Sequence, residues 1–140
     1  MEAIPRERGW GLYQTLGIQV TTSGQVFMPD LVVIPRSALR GRTKPPCPAE
    51  KAFLAVEIVS PSSRNNDRTI KLRGYARAGV PLYLLIDAFN EVGPSVTLHE
   101  QPANGQYDRT TSVRFGDKIR LPDPFDTEID TDEFPGLDEW

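Results

Sequence analysis

Two carboxylates draw attention by their settings. Glu57 interrupts the apolar run Phe53-Leu54-Ala55-Val56 and Ile58-Val59, and Asp30 follows Pro29 at the head of Leu31-Val32-Val33-Ile34. Runs of this kind read as strands buried on both faces, where an uncompensated carboxylate is expensive. Alternate residues of a strand share a face, which groups Asp30 with Val32 and Ile34, and Glu57 with Ala55 and Val59. If the two strands are neighbours, the acids converge at one end of a sheet. Converging carboxylates repel, so one takes up a proton or both share a cation. A hard cation with oxygen ligands, such as Mg²⁺, resolves the cost with help from a backbone carbonyl.

A cationic side chain sits one element further on. Asn65 or Asn66 can cap a helix from about Asp67 to Ala78, closed by Gly79. Asp67, Lys71, Tyr75 and Ala78 then lie on one helix face, which brings Lys71 within reach of Glu57. The simplest alternative is a structural ion pair between Glu57 and Lys71 or an arginine. Arg64, Arg68, Arg73 and Arg77 crowd the same segment and read either as a solvated basic face or as contacts to phosphates. Tyr75 and Tyr83 read as core, Asp87 as a structural acid closing a strand, and His99 as exposed in a hairpin.

The elements that must position these residues follow from the apolar pattern. Strands are expected over Gly11–Val20, Val26–Ile34, Phe53–Val59 and Leu82–Asp87, with residues 35–50 a Pro-rich loop. Val96–Glu100 and Thr110–Phe115 resemble a hairpin around Asn104-Gly105, and Asp117–Leu121 suggests one more short strand. The alternation Asp126, Glu128, Asp130, Asp132 lacks the glycine and closing glutamate of a calcium loop and reads as a charged edge strand. Strand–helix–strand after earlier strands implies an α/β domain: a mixed central sheet with a flanking helix.

Composition sets the limits. The 140 residues make one domain, 1–140, with a core of ordinary size. Nothing approaches a membrane span or a signal-peptide core. One cysteine, Cys47, and one histidine, His99, exclude an internal disulfide and the common zinc sets, and point to the cytoplasm. The net charge of −3 hides a division: residues up to Pro122 carry all 16 Lys and Arg and net +5, whereas the acidic segment 123–140 carries −8. A basic body is compatible with a polyanionic partner.

Pro29-Asp30, Glu57-Ile58-Val59-Ser60-Pro61-Ser62-Ser63, Asp67-Arg68-Thr69-Ile70-Lys71-Leu72 with Tyr75, and Ala78-Gly79-Val80-Pro81-Leu82-Tyr83-Leu84-Leu85-Ile86-Asp87 resemble the Uma-type restriction endonuclease family of the PD-(D/E)XK nuclease superfamily. The resemblance runs from about residue 10 to 134. It implies the restriction-endonuclease-like fold and a Mg²⁺- or Mn²⁺-dependent deoxyribonuclease acting on DNA. Carried over by position, Asp30 and Glu57 are metal ligands and Ile58 lends its carbonyl. The superfamily's usual lysine stands two places after the second acid, where this chain has Val59; the resemblance assigns the role to Lys71 on the following helix. Arg64 and Arg68 are the candidate nucleic-acid contacts. Members usually carry a helical segment and often another acid before the first strand; here nine residues precede Trp10, so that N-terminal helix is largely missing, and Glu2 and Glu7 are the acids there. Cutting both strands of a duplex invites two sites, and a homodimer is one way to supply them.

Other classes fit some of the same residues. A DNA-binding or interaction module can retain the fold without catalysis. A sugar hydrolase uses two acids without metal but leaves Lys71 idle. A purely structural protein leaves both acids unliganded.

Overall fold

The computed structural model describes residues 9–39, 46–62 and 66–131, apart from the side chain of residue 67. In chain order the elements are β1 (Trp10–Gln14), β2 (Ile18–Gln19), β3 (Val26–Phe27), β4 (Leu31–Pro35), β5 (Cys47–Pro48), β6 (Leu54–Ile58), α1 (Lys71–Arg77), β7 (Leu82–Asp87), β8 (Ser95–Ala103), β9 (Gln106–Arg114), β10 (Lys118–Leu121) and β11 (Thr127–Asp130). Six of the strands form one sheet in the order β1-β4-β6-β7-β8-β9. Only β6 and β7 in that sheet run parallel, because α1 carries the chain back between them. This is the mixed α/β sheet with a flanking helix that the sequence implies.

Both faces of the central strands are covered, which is why their sequences are continuously apolar. On one face Val32, Ile34, Ala55, Val59, Tyr83 and Leu85 pack with Tyr75 of α1 and with Ile18 and Phe27. On the other, Val33, Leu54, Val56, Leu84 and Leu98 pack against Ile119, Leu121 and Phe125. Each such fully buried aliphatic side chain is worth roughly 1.5–3 kcal/mol relative to exposure.

The first two expected strands each divide in two. Gly11–Val20 breaks at Thr15, whose φ of 50° ends β1, and the chain continues as β2 in a small three-stranded sheet, β3-β2-β5. Val26–Ile34 breaks at Met28-Pro29-Asp30, so β3 joins the small sheet and β4 the large one. Proline removes a ladder donor at the transfer point. The loop over 35–50 contains a 3₁₀ turn at Arg36–Leu39 and the buried Cys47 in β5, parallel to β2. The hairpin is longer than expected, with Asn104 (φ 55°) and Gly105 (φ 76°) at its tip. β11 pairs with β10 alone, and its acids lie along that edge.

The helix is two pieces. Asn66–Ile70 is a π-helical turn and Lys71–Arg77 is α-helical; Gly79 follows with φ 73° and turns the chain toward β7. At Gly74 an added Cβ would overlap the Phe27 ring, so the helix backbone rests directly on β3. Among the described residues no helix is long and apolar enough to cross a membrane.

Candidate active site

Strands β4 and β6 pair antiparallel, Leu31 with Val56, Val32 with Ala55 and Val33 with Leu54. Carried one residue further, that register sets Asp30 opposite Glu57, and directly opposed residues share a face. There the ladder gives way to a side chain: Asp30 Oδ2 accepts the Ile58 N–H at 2.6 Å. The carboxylate thus caps the end of β6, one peptide from Glu57.

Glu57 is 2% exposed and compensated from the helix. Lys71 Nζ donates to Oε1 at 3.1 Å and the Tyr75 hydroxyl to Oε2 at 2.6 Å. Lys71 and Tyr75 are one helical turn apart, so a single face of α1 delivers both donors. Tyr75 is fully buried, edge-on to Phe27 and Tyr83 at ring separations of 5.2 and 5.0 Å. Lys71 keeps 20% of its side chain exposed and marks the solvent side of the pair.

The fold therefore gathers Asp30, Glu57, Ile58 and Lys71 at one end of β4 and β6, as their positions in the sequence imply. Tyr75 belongs with them as well as with the core; its spacing from Lys71 is the signal that could have shown this. Arg68 goes elsewhere. Its Nε donates to Asp87 Oδ2 at 2.8 Å, and its second nitrogen, Nη2, lies 2.6 Å from the same oxygen but off the hydrogen-bond direction. Asp87 Oδ1 accepts the Phe89 N–H at 3.0 Å, completing a buried structural acid. Arg64 lies outside the described residues, as do Glu2 and Glu7 and the side chain of Asp67. His99 is half-buried rather than exposed, because strand alternation turns it toward the helix side, stacked on Tyr83 at 5.6 Å. Burial lowers its pKa to about 4.

The donor set suits a hard divalent cation. Each Glu57 oxygen accepts one bond from the helix, and a carboxylate offers roughly four lone-pair sites in all. Asp30 Oδ1 has no partner among the described residues. No group of three or more His, Cys, Asp or Glu forms among the described residues, so a cation here would rest on two carboxylates, one carbonyl and water. That sparse protein shell is usual for Mg²⁺.

The family model described as "Putative restriction endonuclease", Uma2, matches residues 2–132. The chain belongs to the Uma2 family. A crystal structure described as that of a putative nuclease from Anabaena variabilis is similar in fold to this Uma2 chain, with a TM-score of 0.64. The two are 15% identical, over 91% of the Uma2 chain and 68% of the other. No curated protein sequence matches. Family and fold together make the Uma2 chain a member of a restriction-endonuclease-like nuclease family.

Proposed function

We propose that the protein is a metal-dependent endonuclease that hydrolyses phosphodiester bonds in DNA through Asp30, Glu57, Ile58 and Lys71, in a single nuclease domain. The observation that carries the reading is the contact between Lys71 and Glu57. It puts a lysine from the following helix beside the second acid, in a chain that has Val59 at the position where a strand lysine would stand.

Asp30, Glu57 and the Ile58 carbonyl would hold Mg²⁺ or Mn²⁺. When bound, such a cation lowers the pKa of a water and offsets charge on the phosphate. The protein's part is positional and electrostatic. Asp30, tied to the Ile58 N–H, keeps its carboxylate at the strand end. Tyr75 fixes the buried rotamer of Glu57. The Lys71 ammonium, at the solvent edge of the pair, favours the negative charge that grows as water attacks phosphorus. Water oxygen bonds to phosphorus and gives up its proton to solvent, while the P–O bond to one sugar breaks and the leaving oxygen takes a proton from solvent. One fragment ends in phosphate and the other in hydroxyl. Arg68 is ion-paired with Asp87 and keeps part of its side chain exposed; it and Arg64 are the candidate DNA contacts. We place the reaction in the cytoplasm, the compartment that a lone cysteine favours, and a homodimer would give duplex DNA a site for each strand.

A second reading is a non-catalytic DNA-binding module. It is favoured by the two donors that Glu57 already has within the chain. Nicking of supercoiled plasmid with Mn²⁺, for the parent and for Glu57→Gln, separates them. Nicking by the parent alone supports the enzyme; a parent that folds and binds DNA but never nicks with any divalent metal leaves the module.

A further inference from the structure

The outer face of α1 is unlike the face that serves Glu57. Arg73 and Arg77 point to solvent, one turn apart. They form one wall of a cleft of about 590 Å³ whose other wall is the β8–β9 hairpin, with His99, Asn104, Gln106 and Tyr107. The same arginines border a smaller hollow of about 200 Å³ against Gln25, Thr69 and Ile70. Among the described residues no carboxylate lines either space. That is unexpected in a chain with 19 acids, and it makes the two hollows one continuous positive surface.

Neither arginine has an ion-pair partner among the described residues. Like charges at this spacing repel on an isolated helix, so an anion between or beside them would be favoured. The cleft is also built rather than incidental. A Cβ at Gly105 would stand 3.4 Å from Arg77 Cγ, so the arginine stem lies along the hairpin turn. The Tyr107 hydroxyl donates to the Val80 carbonyl at 2.7 Å and fixes that ring. His99 is packed between Tyr83 and Tyr107, at 5.6 and 5.8 Å. The hairpin wall therefore presents a fixed aromatic surface with two side-chain amides, which can donate to or accept from a base edge.

We propose that this surface holds DNA at a distance from the scissile bond, toward the end of the sheet opposite Glu57, with backbone phosphates on Arg73 and Arg77 and a base against Asn104, Gln106 and Tyr107. The inference rests on the nuclease reading for its choice of polyanion. The two arginines are about 6 Å apart along the helix axis, within reach of neighbouring phosphates of one strand. Amides and aromatic rings suit a nucleotide better than an acidic peptide, which offers no base to read.

The test is fluorescence anisotropy of a labelled DNA oligonucleotide, single-stranded and duplex, over a salt series with Ca²⁺ in place of Mg²⁺. Arg73→Gln/Arg77→Gln should weaken binding tenfold or more and flatten the log–log salt slope by about 1.8 for duplex, two phosphates at about 0.9 each. Lys118→Gln/Arg120→Gln removes equal charge from the β10–β11 layer and should change neither, while Arg73→Lys/Arg77→Lys should restore most of the slope. Melting curves confirm that each variant folds, as exposed positions allow. Unchanged affinity and slope in the Gln variant overturns the proposal. So does an equal loss in the charge-matched control, or a parent that does not bind DNA. A nucleoside monophosphate that saturates the cleft without displacing the oligonucleotide also overturns it. Plasmid nicking keeps the two readings apart. Arginine-dependent binding without cleavage removes the enzyme and leaves this surface. Cleavage that survives the Gln variant at parental rate and affinity removes this surface and leaves the enzyme.

Discussion

The hydroxyl of Tyr75 reaches through the core to Glu57 Oε2 at 2.6 Å, which ties the only α-helix among the described residues to the acid of the central sheet. Tyr75→Phe keeps the ring and its packing and removes that donor from a buried carboxylate. A hydrogen bond to a charged group is worth about 1.5–3 kcal/mol, and the variant should lose stability of that order in urea unfolding, with an unchanged m-value.

Lys71→Ala separates two roles. As a transition-state contact, its loss should lower nicking by about 10²–10³-fold while metal and DNA affinity hold. As the partner of a buried acid, its loss should cost stability, at most the roughly 3–5 kcal/mol typical of a broken buried pair. Rate and melting curve measured on one preparation distinguish them: a destabilised variant that nicks at parental rate is incompatible with the catalytic role.

Metal binding should be weak and depend on both acids. Mn²⁺ should raise the melting temperature of the parent and hardly affect Asp30→Ala or Glu57→Ala. Equal metal stabilisation of all three proteins removes the assignment.

His99 predicts a pH dependence with a definite sign. Burial lowers its pKa from 6.5 to about 4 in the folded chain. The unfolded chain therefore binds the proton more readily across that interval. The stability contributed by neutral His99 is complete above about pH 6.5 and is lost as pH falls toward 4. Denaturant melts of the parent and of His99→Gln between these limits should differ in slope, the parent falling more steeply toward acid. Parallel curves would show that His99 is solvated.

The convergence of Asp30, Glu57 and Lys71 was legible because it depends on periodicity. Once strands were placed at Val26–Ile34 and Phe53–Val59, alternation alone grouped Asp30 and Glu57, and helical spacing added Lys71. What alternation cannot supply is chain direction in space. Nothing in Leu16-Gly17-Ile18 announces that β1 and β2 belong to different sheets, because that break depends on Thr15 at φ 50° and on the separate partners each strand finds. The ion pair of Arg68 was hidden for a related reason. Its charge suggested a phosphate, but its partner Asp87 lies 19 residues away at the end of the neighbouring parallel strand. The half-burial of His99 likewise depends on Tyr107, which only the full length of the hairpin brings alongside it.

Gly74 leaves a mark on how sequences of this kind can diverge. A glycine inside a helix gives up about 1 kcal/mol of helix propensity, and here it lets the backbone of α1 rest on the ring of Phe27. Positions 74 and 27 are therefore complementary in size. A methyl group gained at 74 calls for a smaller side chain at 27, and either change alone displaces the helix that carries Lys71 and Tyr75. Gly74→Ala should be damaging by itself and partly repaired by Phe27→Leu, so related chains would be expected to change these two sites together. The setting of the helix on the acid is thus inherited as a pair of volumes, in residues that lie outside the Asp30, Glu57 and Lys71 cluster.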